Sequence, residues 1–173
     1  MIMKDRLEKL KLLIFDVDGI LTDNTVFMGE EGTEFKQFCI ADGLAFYMAK
    51  TAGIKLALIS GRYSPATVSR AKELRVDELY QDRIDKADII KDLMDKYNLG
   101  VDEVSFMGDD LVDLQAMEAA GFAVAVPHSP HFIKKRADYV TETPAGKGAV
   151  REFIDMVLEA KKVDLEEMWE KKI

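Results

Sequence analysis

A largely apolar run, Leu10–Phe15, ends abruptly in Asp16-Val17-Asp18-Gly19, and this junction constrains the fold more than any other stretch of the chain. A short apolar segment bounded by turn residues reads as a strand buried on both faces, which is the habit of a parallel sheet covered by helices. Carboxylates that follow such a strand stand at its carboxyl edge, where open α/β sheets keep their crevices. Alternate residues of an extended segment point the same way, so Asp16 and Asp18 can face one reaction centre while Gly19 lets the chain turn away beneath them. A nucleophile and a general acid are thereby placed side by side.

Further apolar segments at Ile54–Ile59, Val104–Met107 and Phe122–Val126 repeat the theme, and most intervals between them carry helical periodicity. This is the rhythm of βαβ units and predicts a doubly wound, Rossmann-like parallel sheet. Ser64-Pro65 opens one helix as N-cap and first-turn proline; Asp85 opens a second, which carries Ile89, Ile90, Leu93, Met94 and Tyr97. A third is expected over about Leu111–Ala120, stopped by Gly121, and a fourth over about Gly148–Ala160. The interval after the first strand differs: Thr25–Met28 and Thr33–Phe38 flank Gly29-Glu30-Glu31-Gly32 and read as a projecting β-hairpin over about 25–38. Phe27, Phe35 and Phe38 have little core of their own there, so burial against another subunit or against their own domain is expected. The segment Val163–Ile173 reads as a charged helix or loose tail with Trp169 as its anchor. The 173 residues form one domain on this reading.

A net charge of −8 argues against general affinity for nucleic acid or anionic membranes, so an anionic substrate must find local positive charge. No stretch approaches the roughly 20 apolar residues needed to cross a bilayer. The single Cys39 cannot close an intrachain disulfide, and the first residues lack the apolar segment of a signal peptide, so a cytoplasmic location is expected.

Gly108-Asp109-Asp110-Leu111-Val112-Asp113 is a second acidic site that follows an apolar strand, which should bring Asp109 beside Asp16. Two carboxylates about 4 Å apart repel by about 4 kcal/mol at an effective dielectric of 20, so such a cluster calls for a cation. Hard oxygen ligands in a small cage match Mg²⁺. Ser60-Gly61-Arg62, directly after the strand Ile54–Ile59, can present a hydroxyl and backbone N–H groups to a phosphate oxygen. Lys86, at the start of its helix, can neutralise both a nucleophile and a phosphoryl group.

In that order, Asp16-Val17-Asp18-Gly19, Ser60, Lys86 and Asp109-Asp110 resemble the four motifs of the haloacid dehalogenase superfamily of phosphatases. Thr22-Asp23, Asp42-Gly43, Ser60-Gly61-Arg62 and Gly146–Glu152 resemble its capless subfamily of 3-deoxy-D-manno-octulosonate 8-phosphate phosphatases. The resemblance implies that Asp16 is the nucleophile and Asp18 the acid and base. It also implies that Ser60 and Lys86 clamp the phosphoryl group, and that Asp16, the Asp18 backbone carbonyl and Asp109 hold Mg²⁺. Asp110 and Asp113 would orient the metal or its waters. Substrate contacts would fall on Cys39, Ile40, Ala41, Asp42 and Gly43, on Gly61, Arg62 and Arg70, and on Lys86. The substrate would be an acidic sugar phosphate and the assembly a homotetramer whose neighbouring hairpins and tails help close the site. The 44 positions from Asp16 to Ser60 hold a hairpin and a helix and leave no room for a cap domain.

Ala41 and Tyr47 stand where members of the subfamily often carry basic residues, so the exact sugar stays open between the eight-carbon acid and a nine-carbon, sialic-type phosphate. His128 and His131, beside prolines, are assigned no catalytic role. Two other classes also fit parts of the pattern. A receiver domain shares the acidic pocket, the Ser and the Lys, but has no use for Asp18 or the hairpin. A non-catalytic oligomerisation module does not need every catalytic position filled, as they are here.

Overall fold

The computed structural model describes residues 3–170, apart from the side chain of Trp169; the expected anchoring role of Trp169 and the residues 171–173 of the tail therefore lie outside the described residues. Six strands form one parallel sheet: β1 (Leu12–Phe15), β4 (Lys55–Ile59), β5 (Glu78–Tyr80), β6 (Val104–Met107), β7 (Phe122–Ala125) and β8 (Tyr139–Val140), in the order β5-β4-β1-β6-β7-β8. The chain runs outward from β1 on one side through β4 and β5, then returns to lay β6, β7 and β8 on the other. The order reverses at β1, and the crevice beyond its carboxyl end is where such sheets bind ligands.

The strand side chains alternate between two cores, as the pleat requires. Leu13, Phe15, Leu56, Leu58, Phe122 and Val124 enter one core, with helices α1 (Met3–Lys9), α2 (Ile40–Thr51), α3 (Pro65–Leu74) and α7 (Ala149–Ala160). Leu12, Ile14, Ala57, Ile59, Phe106, Ala123 and Ala125 enter the other, under α4 (Lys86–Tyr97) and α5 (Leu114–Ala119). Helix α7 presents Val150, Phe153, Ile154, Val157 and Leu158 at helical spacing, all buried. Phe153 stacks on Phe122 with ring centroids 6.0 Å apart and meets Phe15 edge-on at 6.4 Å.

Two edge strands, β5 and β8, were not expected from the sequence. Each is only two or three residues long and none of their residues is fully buried, so neither carries a strong apolar signal. The helix expected over Leu111–Ala120 is divided: Leu111–Asp113 is a 3₁₀ turn and α5 begins at Leu114. The division follows from Asp110 and Asp113, which satisfy each other's backbone N–H groups in a capping box. Two short helices, α6 (His131–Lys134) and α8 (Leu165–Glu170), complete the chain.

The hairpin forms as expected but is short: β2 (Phe27–Met28) pairs antiparallel with β3 (Glu34–Phe35), and Phe27 stands opposite Phe35. Phe27, Met28 and Phe35 are each about 60% exposed in the single chain. Phe38 behaves differently. It folds back onto its own domain's core, and the Arg70 guanidinium lies 5.5 Å from its ring centroid. No described helix is long and apolar enough to cross a membrane.

Candidate active site

Two loops from neighbouring strands build the site. β1 delivers Asp16, whose backbone N–H donates to Met107 O at 2.9 Å and so ties the loop to the end of β6. The chain then turns at Gly19, which has φ +91°. A Cβ at Gly19 would lie 2.3 Å from Asp109 Oδ2, so the absent side chain is what lets Asp109 pack against the first loop. Asp113 comes back under the second loop: its Oδ2 accepts the backbone N–H of Asp109 at 2.9 Å and of Asp110 at 3.3 Å.

Asp16, Asp109 and Asp113 each offer a carboxylate oxygen within 4.8 Å of the others, and all three are buried. Lys86, fully enclosed, donates to Asp16 Oδ1 and to Asp113 Oδ1, each at 2.6 Å. Burial and the neighbouring Asp113 carboxylate push the Asp16 carboxyl upward in the absence of a cation, although Lys86 opposes them. Burial likewise raises Asp109 against the pull of its contact with His128. Burial works to lower Lys86, but Asp16 and Asp113 outweigh it and hold its ammonium charged. One ammonium, shared by Asp16 and Asp113, leaves the three acids short of positive charge, so the donor set fits a divalent cation: carboxylate oxygens in a small, buried cage.

A crevice of about 290 Å³ opens over this cluster. The expected residues Asp16, Asp18, Ser60, Gly61, Arg62, Lys86, Asp109 and Asp110 line it, together with Asn24, Ile84 and Val112, which sequence reasoning did not name. Ser60 is buried at the end of β4, where its hydroxyl donates to Arg62 O at 2.9 Å and accepts the Arg62 N–H at 3.2 Å. The serine thus shapes the Ser60-Gly61-Arg62 turn.

Cys39, Ile40, Ala41, Asp42, Gly43 and Arg70 are not brought into that crevice. They gather instead at the start of α2, where Arg70 of α3 donates to Cys39 O at 2.8 Å. Arg70 also lies so close to Gly43 that a Cβ there would stand 3.0 Å from its nitrogen. Ile40 and Ala41 are exposed. Asp42 turns inward: it is 2% exposed and accepts the Arg151 N–H at 2.9 Å, which caps the first turn of α7. Burial pushes its carboxyl up to about 6, against the opposing Arg151 N–H and the Arg70 charge.

Two residues that the sequence left without a role reach the site. His128 Nε2 lies 3.0 Å from Asp109 Oδ2, delivered by the turn after β7. Lys36, just past β3, reaches Asp18 Oδ1 at 2.7 Å. Nothing local marks His128. Lys36 had a signal in the alternation of the hairpin, where Glu34 and Lys36 share the face opposite to Phe35. Asp113, expected only to orient a metal or its waters, is a full member of the acidic cluster.

Fold and site together define a doubly wound α/β domain with an acidic, lysine-bridged crevice at the topological switch point. Residues 66–154 match the family model of the haloacid dehalogenase-like hydrolases. The chain is 40% identical over 151 residues to the 3-deoxy-D-manno-octulosonate 8-phosphate phosphatase KdsC of Escherichia coli K12, covering 87% of this chain and 80% of that protein. The crystal structure of a 3-deoxy-D-manno-octulosonate 8-phosphate phosphatase from Moraxella catarrhalis, in complex with magnesium ion, phosphate ion and KDO, has a TM-score of 0.89. It is 38% identical, over 92% of this chain and 91% of that one. A cobalt-bound deoxy-D-mannose-octulosonate 8-phosphate phosphatase from Haemophilus influenzae has a TM-score of 0.90 at 35% identity, over 95% of this chain and 98% of that one. The chain belongs to the haloacid dehalogenase-like hydrolases, in the branch of the 3-deoxy-D-manno-octulosonate 8-phosphate phosphatases.

Proposed function

We propose that this protein is a Mg²⁺-dependent phosphomonoesterase that releases phosphate from 3-deoxy-D-manno-octulosonate 8-phosphate. The observation that carries the reading is the buried cluster of Asp16, Asp109 and Asp113 at the crevice, with Lys86 bridging Asp16 and Asp113. Asp16 keeps Oδ1 on Lys86, which leaves its other oxygen to attack phosphorus in line and form an aspartyl-phosphate. Asp18, two residues on, gives its proton to the leaving sugar oxygen and then takes one from the water that resolves the intermediate. Ser60 and Lys86 hold the phosphoryl oxygens, and Arg62 at the rim attracts an anionic substrate into an otherwise acidic protein. Mg²⁺, held by Asp16, the Asp18 carbonyl and Asp109, would neutralise charge on the transferring group.

Ala41 and Tyr47 favour keeping a second acidic sugar phosphate, of the nine-carbon type, as an alternative substrate. Self-association into a homotetramer is the proposed use of the exposed Phe27 and Phe35. The purified protein with Mg²⁺ is assayed for phosphate release from the eight-carbon and nine-carbon acid sugar phosphates and common hexose phosphates. The eight-carbon substrate should be preferred, and Asp16→Asn or chelator should abolish turnover. Absence of release from every member of the panel refutes the enzyme reading.

A further inference from the structure

We propose that Lys36 is a positioning residue for Asp18, through which the hairpin sets the acid and base carboxyl of the site. The proposal rests on the reading of Asp18 as proton donor and acceptor in the phosphatase reaction.

Lys36 follows a ribbon of two-residue strands whose outer face is exposed, yet its own side chain is 0% exposed. An ammonium taken out of water costs several kcal/mol unless it is well paired, and so short a ribbon has no core with which to enforce that burial. The pairing is therefore what holds it. Nζ lies 2.7 Å from Asp18 Oδ1 and 3.6 Å from Glu34 Oε1, and donates to Thr67 Oγ1 at 3.3 Å. Arg62 completes the arrangement from the other side, 2.6 Å from Glu34 and 3.8 Å from Asp18 Oδ2. Neither oxygen of Asp18 has an aligned hydrogen bond. Its orientation is set by two cations, Lys36 on one oxygen and Arg62 on the other.

Labour is thus divided between two lysines whose side chains are enclosed. Lys86 serves Asp16 and Asp113, and Lys36 serves Asp18. In the first half-reaction the Asp18 proton passes to the leaving oxygen as that oxygen parts from phosphorus and the Asp16–phosphorus bond forms. In the second, Asp18 takes a proton from water as the water oxygen bonds to phosphorus and Asp16 is released. Both transfers require the carboxyl to point at the same small region, and a mis-set carboxyl slows them.

The test compares wild type, Lys36→Met, Lys36→Arg and Thr67→Val as full chains with Mg²⁺, on 3-deoxy-D-manno-octulosonate 8-phosphate and on p-nitrophenyl phosphate, whose leaving group needs no proton. In Lys36→Met, kcat for the sugar phosphate should fall on the order of 100-fold with little change in KM. The aryl ester should give a rapid burst of nitrophenolate equal to the enzyme concentration, then slow turnover, because only water activation is impaired. Lys36→Arg should recover most of the sugar phosphate rate. Thr67→Val, which loosens Lys36 without removing its charge, should show the same pattern a few-fold. Equal losses on both esters with no burst, or a rise in KM alone, would overturn the proposal. A wild type inactive on both esters would instead sink the phosphatase reading.

Discussion

Asp42 is a buried acid that works against the fold, and Asp42→Asn makes that opposition measurable. One oxygen accepts the Arg151 N–H at the start of α7, while Oδ2 is buried with no hydrogen-bond partner. The carboxyl is pushed from the ordinary 3.8 to about 6 in the folded protein. A raised folded value means that the native state binds the proton more tightly than the unfolded chain, so stability falls as pH climbs from about 4 to about 6 and the loss is complete above that. With about 1.4 kcal/mol per unit, the ionised group costs about 1 kcal/mol at pH 4.5 and about 3 kcal/mol at pH 7. Asparagine keeps the oxygen for Arg151 and removes the charge. It also places an NH₂ where Oδ2 stood, at a cost of about 1–3 kcal/mol that does not depend on pH. The two effects oppose each other in absolute stability, and only the removal of the charge depends on pH. Urea denaturation of both proteins at pH 4.5 and pH 7 should show the variant gaining about 2 kcal/mol on the wild type between the two, about 5–6 °C in Tm for a chain of this length. A difference that stays constant across that interval refutes the burial argument.

Gly19→Ala should cut phosphate release on the order of 100-fold while leaving the helical circular dichroism unchanged, because the new Cβ collides with Asp109 at a left-handed backbone position. His128→Asn should weaken Mg²⁺ binding about 10-fold in a calorimetric titration, since His128 holds the Asp109 Oδ2 oxygen in place. The double variant Phe27→Ser, Phe35→Ser should lower the association state in sedimentation velocity without lowering the monomer's helical content, given that both rings lie outside the two cores.

Much of the chemistry was legible because it sits directly after strands with strong apolar signals. Asp16 and Asp18 follow β1, Ser60 follows β4 and Asp109 follows β6, so naming the strand placed the residue. The edge strands β5 and β8 were silent for the opposite reason: partly exposed and no more than three residues long, they carry no continuous apolar run. Asp42 lies off the crevice because it falls on the inward face of α2, while its neighbours Ile40 and Ala41 are exposed, a difference that depends on how α2 packs against α7. His128 could not be found, since its partner Asp109 lies 19 positions away across a 3₁₀ turn, helix α5 and strand β7.

The sequence by itself determined the four central strands of the sheet, the helices that cover its two faces and the acids at its carboxyl edge, because apolar periodicity is a local property that survives without knowledge of the partner. The tertiary structure alone decided which charges meet. Lys86 bridges Asp16 and Asp113 over separations of 70 and 27 residues, and Lys36 crosses from the hairpin to Asp18. Such pairings depend on where the sheet order reverses and on how a glycine without a Cβ lets one loop rest on another.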